Sequence, residues 1–305
     1  MLAAVAALFA VSLALPAHSA PASPRPEVAE WQSLLDQYCI RLPGKAPLQD
    51  TRFDYEQLYV DEKIWTLKRS ERLERARQQL LSVNPATLTP HERVAWALNT
   101  CNFLVVEQMT LHLLVPGRQF LRYKSVHDVL LEGAPFFEGR IVTVEGRALS
   151  IEEFARRYVY GDSTPLVEPR ATPGDPRWLL AFCRGHVGGA PLAPRAFRAD
   201  SLEAQLDLCA RRAFAQPRFV MADPRTGVLS ASDLLASHAL DFGGDLGRVV
   251  PFLARYGSGD VPKTIQKFKL ATVTRFMQVD PLLNQFDRPK QAPPGQAPPP
   301  SRSSM

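Results

Sequence analysis

Arg93-Val-Ala-Trp96-Ala-Leu-Asn99-Thr-Cys101-Asn102-Phe-Leu-Val-Val-Glu-Gln-Met-Thr-Leu-His-Leu-Leu114 is an almost wholly apolar helical stretch with two amides set into it. Its start is written just upstream. Thr89 is placed as an N-cap, Pro90 as the first helical residue and Glu92 as the reciprocal partner of a capping box. Its end is written at Val115-Pro116-Gly117. A helix apolar on all sides belongs in a core. Burying an amide there costs a few kcal/mol unless it is hydrogen-bonded. Asn99 and Asn102 are three residues apart and share a face with Trp96. They either hold another segment of the chain or line a site. The segment expected opposite them is the Asp175–Arg177 turn or the Arg184–Pro194 loop.

Outward from this helix, both ends of the chain are legible. Residues 1–20 carry no charged side chain, and Leu2 to Leu15 is apolar. Pro16-Ala-His-Ser-Ala20 then closes the run with small residues. This is the pattern of a signal peptide, too short to span a membrane comfortably. The first cysteine, Cys39, lies too far downstream to anchor a lipoprotein. The expectation is an exported protein, periplasmic or secreted, with no membrane span left after cleavage. Residues 288–305 are rich in Pro, Gln and Ser and read as a disordered tail. About 265 residues remain between these ends, enough for one large domain with an N-terminal helical region. The chain divides into residues 21–90 (helical), 91–258 (core) and 259–287 (C-terminal extension).

The net charge is +5. The basic residues of Lys63–Arg77 alternate with Glu71 and Glu74 as on a solvated helix face, and no aromatic-basic cluster points to nucleic acid. The first helix is expected over Pro26–Ile40, with Trp31, Leu34, Leu35 and Tyr38 on one stripe. Helix is also expected over Phe53–Val60 and Ile64–Val83. Gly139–Val144 and Arg147–Leu149 read as a hairpin turning at Glu145-Gly146. Ser150 caps the next helix with Glu153. Trp178–Cys183 reads as a buried strand, and Ser201 as the cap of a helix to about Ala215. A second hairpin turns at Asp223-Pro224, and short helices follow at Ser232–Leu240 and Leu246–Tyr256. Helices first, then strands mixed with helices, predict an α+β fold, mostly helical, with a small mixed or antiparallel sheet of short strands and hairpins.

Several landmarks together resemble the bacterial and plant domain-of-unknown-function 547 family. Trp96-Ala-Leu-Asn99-Thr-Cys101-Asn102 is similar to its W-x-N-x-Y-N element, with Cys101 in the place of Tyr. Ser125-Val-His-Asp128, Gly146-Arg147-Ala-Leu-Ser150-Ile-Glu152-Glu153, Asp175-Pro176-Arg177, Pro191-Leu192 with Phe197, and Asp241-Phe242 match further segments in order. The resemblance covers roughly Arg93 to Tyr256. It adds Asp241 to Trp96, Asn99, Asn102 and Arg177 as residues expected to line a site. Five positions depart from the family's polar groups. Ala155 and Arg156 stand where it carries Glu-His, Leu179 where it carries His, and Arg184 and Gly189 where it carries Cys.

Two classes of function follow. One is a non-catalytic protein of the cell envelope that binds a small ligand or a partner protein, which the five departures favour. The other is a thiol-dependent hydrolase or transferase with a relocated centre, for which Cys183 with His186 or His238 are the candidate catalytic residues. No metal site is expected, because the histidines show no ligand spacing, and no cofactor is called for. Gly185-His-Val-Gly-Gly189 fails as a phosphate loop, lacking the Lys-Ser/Thr and an immediate helix.

Overall fold

A computed structural model describes residues 28–65, 68–118 and 121–288. The expected signal peptide and all of the Pro-rich tail except Arg288 lie outside the described residues. At the centre stands the long apolar helix, Pro90–Leu111, the fourth helix of the chain (α4). Its start is as the sequence writes it: Glu92 N donates to Thr89 Oγ1, and Glu92 Oε2 accepts from Thr89 N. Every residue from Ala95 to Leu111 is buried. The Trp96 indole donates to the Leu80 carbonyl at 2.6 Å and packs edge-on against Phe154 and Tyr158.

Ahead of α4 lie α1 (Ala29–Tyr38), α2 (Tyr55–Asp61) and α3 (Glu71–Leu81). The stripe of α1 is buried as expected. The helix stops before Cys39, which belongs instead to β1 (Cys39–Arg41), antiparallel to β2 (Thr51–Phe53). Phe53 is therefore a strand residue, and the expected long helical region is broken in two. Asp54 caps α2 through Gln57 N, and Ser70 caps α3 through Leu73 N. Two separate starts of this kind interrupt a helix however apolar its period. Glu107 of α4, wholly buried, is held by Arg69 at 2.6 Å and Arg77 at 2.5 Å.

After α4 come a short pair, β3 (Leu130–Leu131) and β4 (Ala134–Pro135), and the expected hairpin of β5 (Arg140–Val144) and β6 (Arg147–Ser150). Ser150 caps α5 (Ile151–Tyr158) with Glu153, and α5 packs along α4. Trp178–Cys183 is not a strand. Asp175 caps a single helical turn, α6 (Pro176–Leu179), and the chain then bends away. Asp at the cap and Pro in the first helical place favour a helix start over extension. Asn102 then supplies the bonds a neighbouring strand would have made. Helix α7 (Leu202–Phe214) follows, but Ser201 makes no side-chain cap; Gln205 accepts from Arg198 N instead.

The second hairpin, β7 (Val220–Ala222) and β8 (Leu229–Ser232), leads into α8 (Asp233–Ser237) and α9 (Val249–Tyr256). Next come α10 (Asp260–Phe268) and β9 (Arg275–Met277), which pairs parallel to β8. The fold is thus α+β and mostly helical, but its strands form four separate sheets of two or three strands among the described residues. From Asp280 the chain runs back as a strap over the Gly-rich loop. Val187 N and Gly188 N donate to the carbonyls of Leu282 and Asp280, and Asn284 N donates to that of Gly185. Tyr55 Oη donates to Asn284 Oδ1 at 2.9 Å. Gly188 permits this approach, since a Cβ there would lie 2.4 Å from Asp280 N. No helix of the described residues is long and apolar enough to cross a membrane.

Candidate functional site

The two amides of α4 are structural clasps. Asn99 Nδ2 donates to the Phe197 carbonyl and Asn99 Oδ1 accepts from Phe197 N, both at 2.8 Å. Asn102 Nδ2 donates to the Ala181 carbonyl at 3.1 Å and Oδ1 accepts from Cys183 N at 2.8 Å. The expected kind of partner, backbone of another segment, is what they hold. The partners lie just outside the two segments named from sequence. Trp96 and Asn99 also touch a cleft of about 320 Å³ beside His91 and Phe197, but their polar atoms are already bonded. Asn102 is in the core. Arg177 is gripped by the chain's own carboxylates: Asp175, Asp207 at 2.6 Å and Glu203 at 2.7 Å. These hydrogen bonds hold it firmly protonated.

The four cysteines are free and buried. Burial pushes the thiols of Cys183 and Cys209 up to about 11 and that of Cys39 up to about 12, and raises Cys101 as well. Cys183 Sγ accepts from Asn284 Nδ2 at 3.4 Å, and no described imidazole hydrogen-bonds to it. A nucleophilic thiol needs the thiolate form. His186 lies under the strap, its Nδ1 without a hydrogen-bond partner and its ring centroid 5.8 Å from that of His127. Burial, then His127 and Arg184, push it down to about 4. The structure does not join Cys183 to either candidate histidine by a hydrogen bond. The backbone amides of Val187 and Gly188 are bonded to the strap, so the Gly-rich loop offers no amide cradle there. No group of three or more His, Cys, Asp or Glu arranged for a metal occurs among the described residues.

A different set of residues converges on a cleft of about 500 Å³. Glu152 and Arg156 come from α5, Pro169 and Arg170 from the loop after it, and Arg184 from the turn after α6. Leu234, Ser237, His238 and Leu240 come from α8 and the 3₁₀ turn that follows. The loop is shaped by Asp162, a buried carboxylate. It accepts from Thr164 N and Oγ1 and from Ala171 N and Thr172 N. Burial opposes ionisation there, yet these bonds outweigh it and hold the carboxyl well below its usual range.

Each guanidinium in the cleft is fixed from behind. Arg170 lies 3.8 Å over the Tyr160 ring, and its Nη2 donates to Asp241 Oδ1 at 2.7 Å. Asp241 Oδ1 also accepts from Gly174 N. Gly174 is needed there because a Cβ would meet the Tyr160 ring at 2.5 Å. Arg184 sits over the rings of Phe182 and Phe137, with Nη2 3.1 Å from Glu152 Oε2. That contact is an ion pair without hydrogen-bond alignment, so Glu152 Oε2 has no hydrogen-bond partner. Arg156 donates through Nη1 to the carbonyls of Pro165 and Glu168. Arg170 Nη1 and Asp241 Oδ2 are likewise buried without partners. Buried polar atoms are rarely left so, and these three belong to the ion pairs behind the cleft lining.

His238 closes the cleft. Its Nδ1 lies 3.1 Å from the Leu234 carbonyl, which assigns the proton to Nδ1 and leaves Nε2 an acceptor. Burial, then the charge of Arg184, push it down to about 4, so the ring is neutral near pH 7. Of the residues marked from sequence, the structure brings only His238 and Asp241 to this place. Arg156 and Arg184 were visible there as departures from a family pattern, not as a site. Nothing in the local sequence marks Arg170, which reaches the cleft only because Asp162 folds its loop.

No family model matches the chain, and neither does any curated protein or solved structure.

Proposed function

We propose that this is an exported, non-catalytic binding protein of the cell envelope, a divergent relative of the domain-of-unknown-function 547 family, with its ligand seat in the arginine-lined cleft. The observation that carries the reading is the contrast between two regions. The thiols are buried and strongly protonated, and Cys183 is covered by the strap. The cleft beside α5 and α8 is open and is lined by the fixed charges of Glu152, Arg156, Arg170 and Arg184. Proton transfer there has little support, because His238 is held neutral with a low proton affinity and no nucleophile but the exposed hydroxyl of Ser237 adjoins it. The family relation is supported by the ordered motifs alone. It also gives the two arginines a meaning: Arg156 and Arg184 occupy two of the five departing positions, and the fold sets both on one cleft. Export is supported by the uncharged apolar start and its small-residue end.

Thiol reactivity tests the non-catalytic reading. A small alkylating reagent at neutral pH is expected to label no cysteine of the folded protein rapidly, and all four after unfolding. Rapid, stoichiometric labelling of Cys183 in the folded protein, lost on replacing His186 or His238, would overturn it in favour of a thiol hydrolase or transferase.

A further inference from the structure

We propose that the cleft between α5 and α8 takes a small ligand with an oxyanion head, carboxylate or phosphate monoester, and a compact apolar body. The proposal rests on the reading of this cleft as the binding seat and adds the chemistry of what it binds.

The head follows from the charges. Arg156, Arg170 and Arg184 face the cleft, against the two carboxylates Glu152 and Asp241, and the neutral His238 adds nothing to the balance. One positive charge is in excess. A guanidinium has only donors and stays charged, so its complement must bring acceptors and negative charge. The planar forks are pre-set: rings hold the faces of Arg170 and Arg184, leaving their edges for hydrogen bonds. Arginine edges match the paired oxygens of a carboxylate or phosphate. Arg184 is engaged by Glu152 through Nη2 at 3.1 Å, and no hydrogen bond to the described residues takes its Nε or Nη1. A cation would meet the excess positive charge, and a neutral ligand would leave the guanidinium edges uncompensated.

The body follows from the rest of the lining. Leu234, Leu240 and Pro169 add apolar side chains to the lining, and the cleft holds about 500 Å³. That is within the range of small-molecule sites, about 300–1,000 Å³. A bare ion would leave these side chains wet.

The experiment is calorimetric titration of the full chain with four probes: hexanoate, phenyl phosphate, inorganic phosphate and neutral hexanamide. Hexanoate, phenyl phosphate or both are expected to bind saturably, at least tenfold tighter than hexanamide, and more weakly as salt rises. Which of the two binds tells carboxylate from phosphate. The double variant Glu152→Gln with Arg184→Gln removes both members of one ion pair, keeping the charge balance of the fold. It is expected to weaken binding tenfold or more. Ser237→Asp places a negative charge at an exposed position on the cleft wall and is expected to do the same, while Ser237→Asn does not. Hexanamide binding as tightly as hexanoate would overturn the oxyanion head and leave the binding reading standing. Inorganic phosphate binding as tightly as the apolar probes would overturn the apolar body. No binding of any probe would overturn the proposal. Thiol labelling, read separately, decides whether the non-catalytic reading fails with it.

Discussion

Replacing Asn99 by Leu should destabilise the fold by about 2–4 kcal/mol, because it orphans two backbone groups at once. Asn99 meets the amide and the carbonyl of Phe197 at 2.8 Å each, and Phe197 is buried. A buried donor or acceptor left without its partner costs about 1–3 kcal/mol. Leucine recovers some of this through apolar burial and through helix propensity, the latter only a few tenths of a kcal/mol. The side chain it replaces is similar in size, so no large cavity opens. Thr100→Val is the internal control one residue away. Its hydroxyl bonds the Trp96 carbonyl of its own helix, which the helix ladder already satisfies. The control is expected to cost less than about 1 kcal/mol. The assay is equilibrium unfolding in urea followed by tryptophan fluorescence, comparing midpoints at constant slope. If Asn99→Leu and Thr100→Val destabilise equally, or if Asn99→Leu is neutral, the clasp is not what holds Phe197 to α4.

Asp241→Ala is expected to cost about 3 kcal/mol by urea unfolding, since it leaves the largely covered Arg170 charge unpaired. Acidification supplies a second test. His186 and His238 are pushed down to about 4 in the fold, below the ordinary value of about 6.5. The unfolded chain then binds protons first, so stability falls as pH drops from about 6.5 toward 4 and changes no further through these groups below that. His238→Gln should flatten part of this slope in thermal melts across the window; an unchanged slope would show that His238 is not held neutral. Truncation before Asp280 should lower the melting temperature and make Cys183 reactive to alkylation, because the strap's bonds to Gly185, Val187 and Gly188 and the Asn284 contact are lost. Persistent protection of Cys183 in a folded truncated chain would refute the covering role.

Local signals carried much of the fold. The capping boxes at Thr89 and Ser150 are complete within three residues, and the Glu145-Gly146 turn sits between two strand patterns. These need no distant partner to be read. The misplaced elements were those settled by distant contacts or by competing caps. Trp178–Cys183 is apolar enough for a strand, but Asp175 and Pro176 start a helix there and Asn102 takes the backbone beyond it. Strand β9 exists only because β8 offers an edge. The amides on α4 announced that they held something, and the spacing could not say that the partners were Phe197, Ala181 and Cys183. The cleft was the least legible part. Its arginines are spread from Arg156 to Arg184, and His238 is 54 positions beyond Arg184 in the sequence. No periodicity links them; the Asp162 loop and the turn after α6 do.

The strap also fixes an order in time. Gln285 accepts from Tyr55 N across 230 positions of chain, and Asn284 reaches back 101 positions to Cys183. Contacts of such separation form late, and synthesis runs from the other end. A growing chain can raise α1 to α4 early, but its waist stays unfastened until Asn284 and Gln285 have been made. Under the export reading this delay is useful. A polypeptide whose closing stitch lies 230 residues downstream of the segment it fastens would remain threadable while it is being delivered, and would set its final shape only after it has arrived.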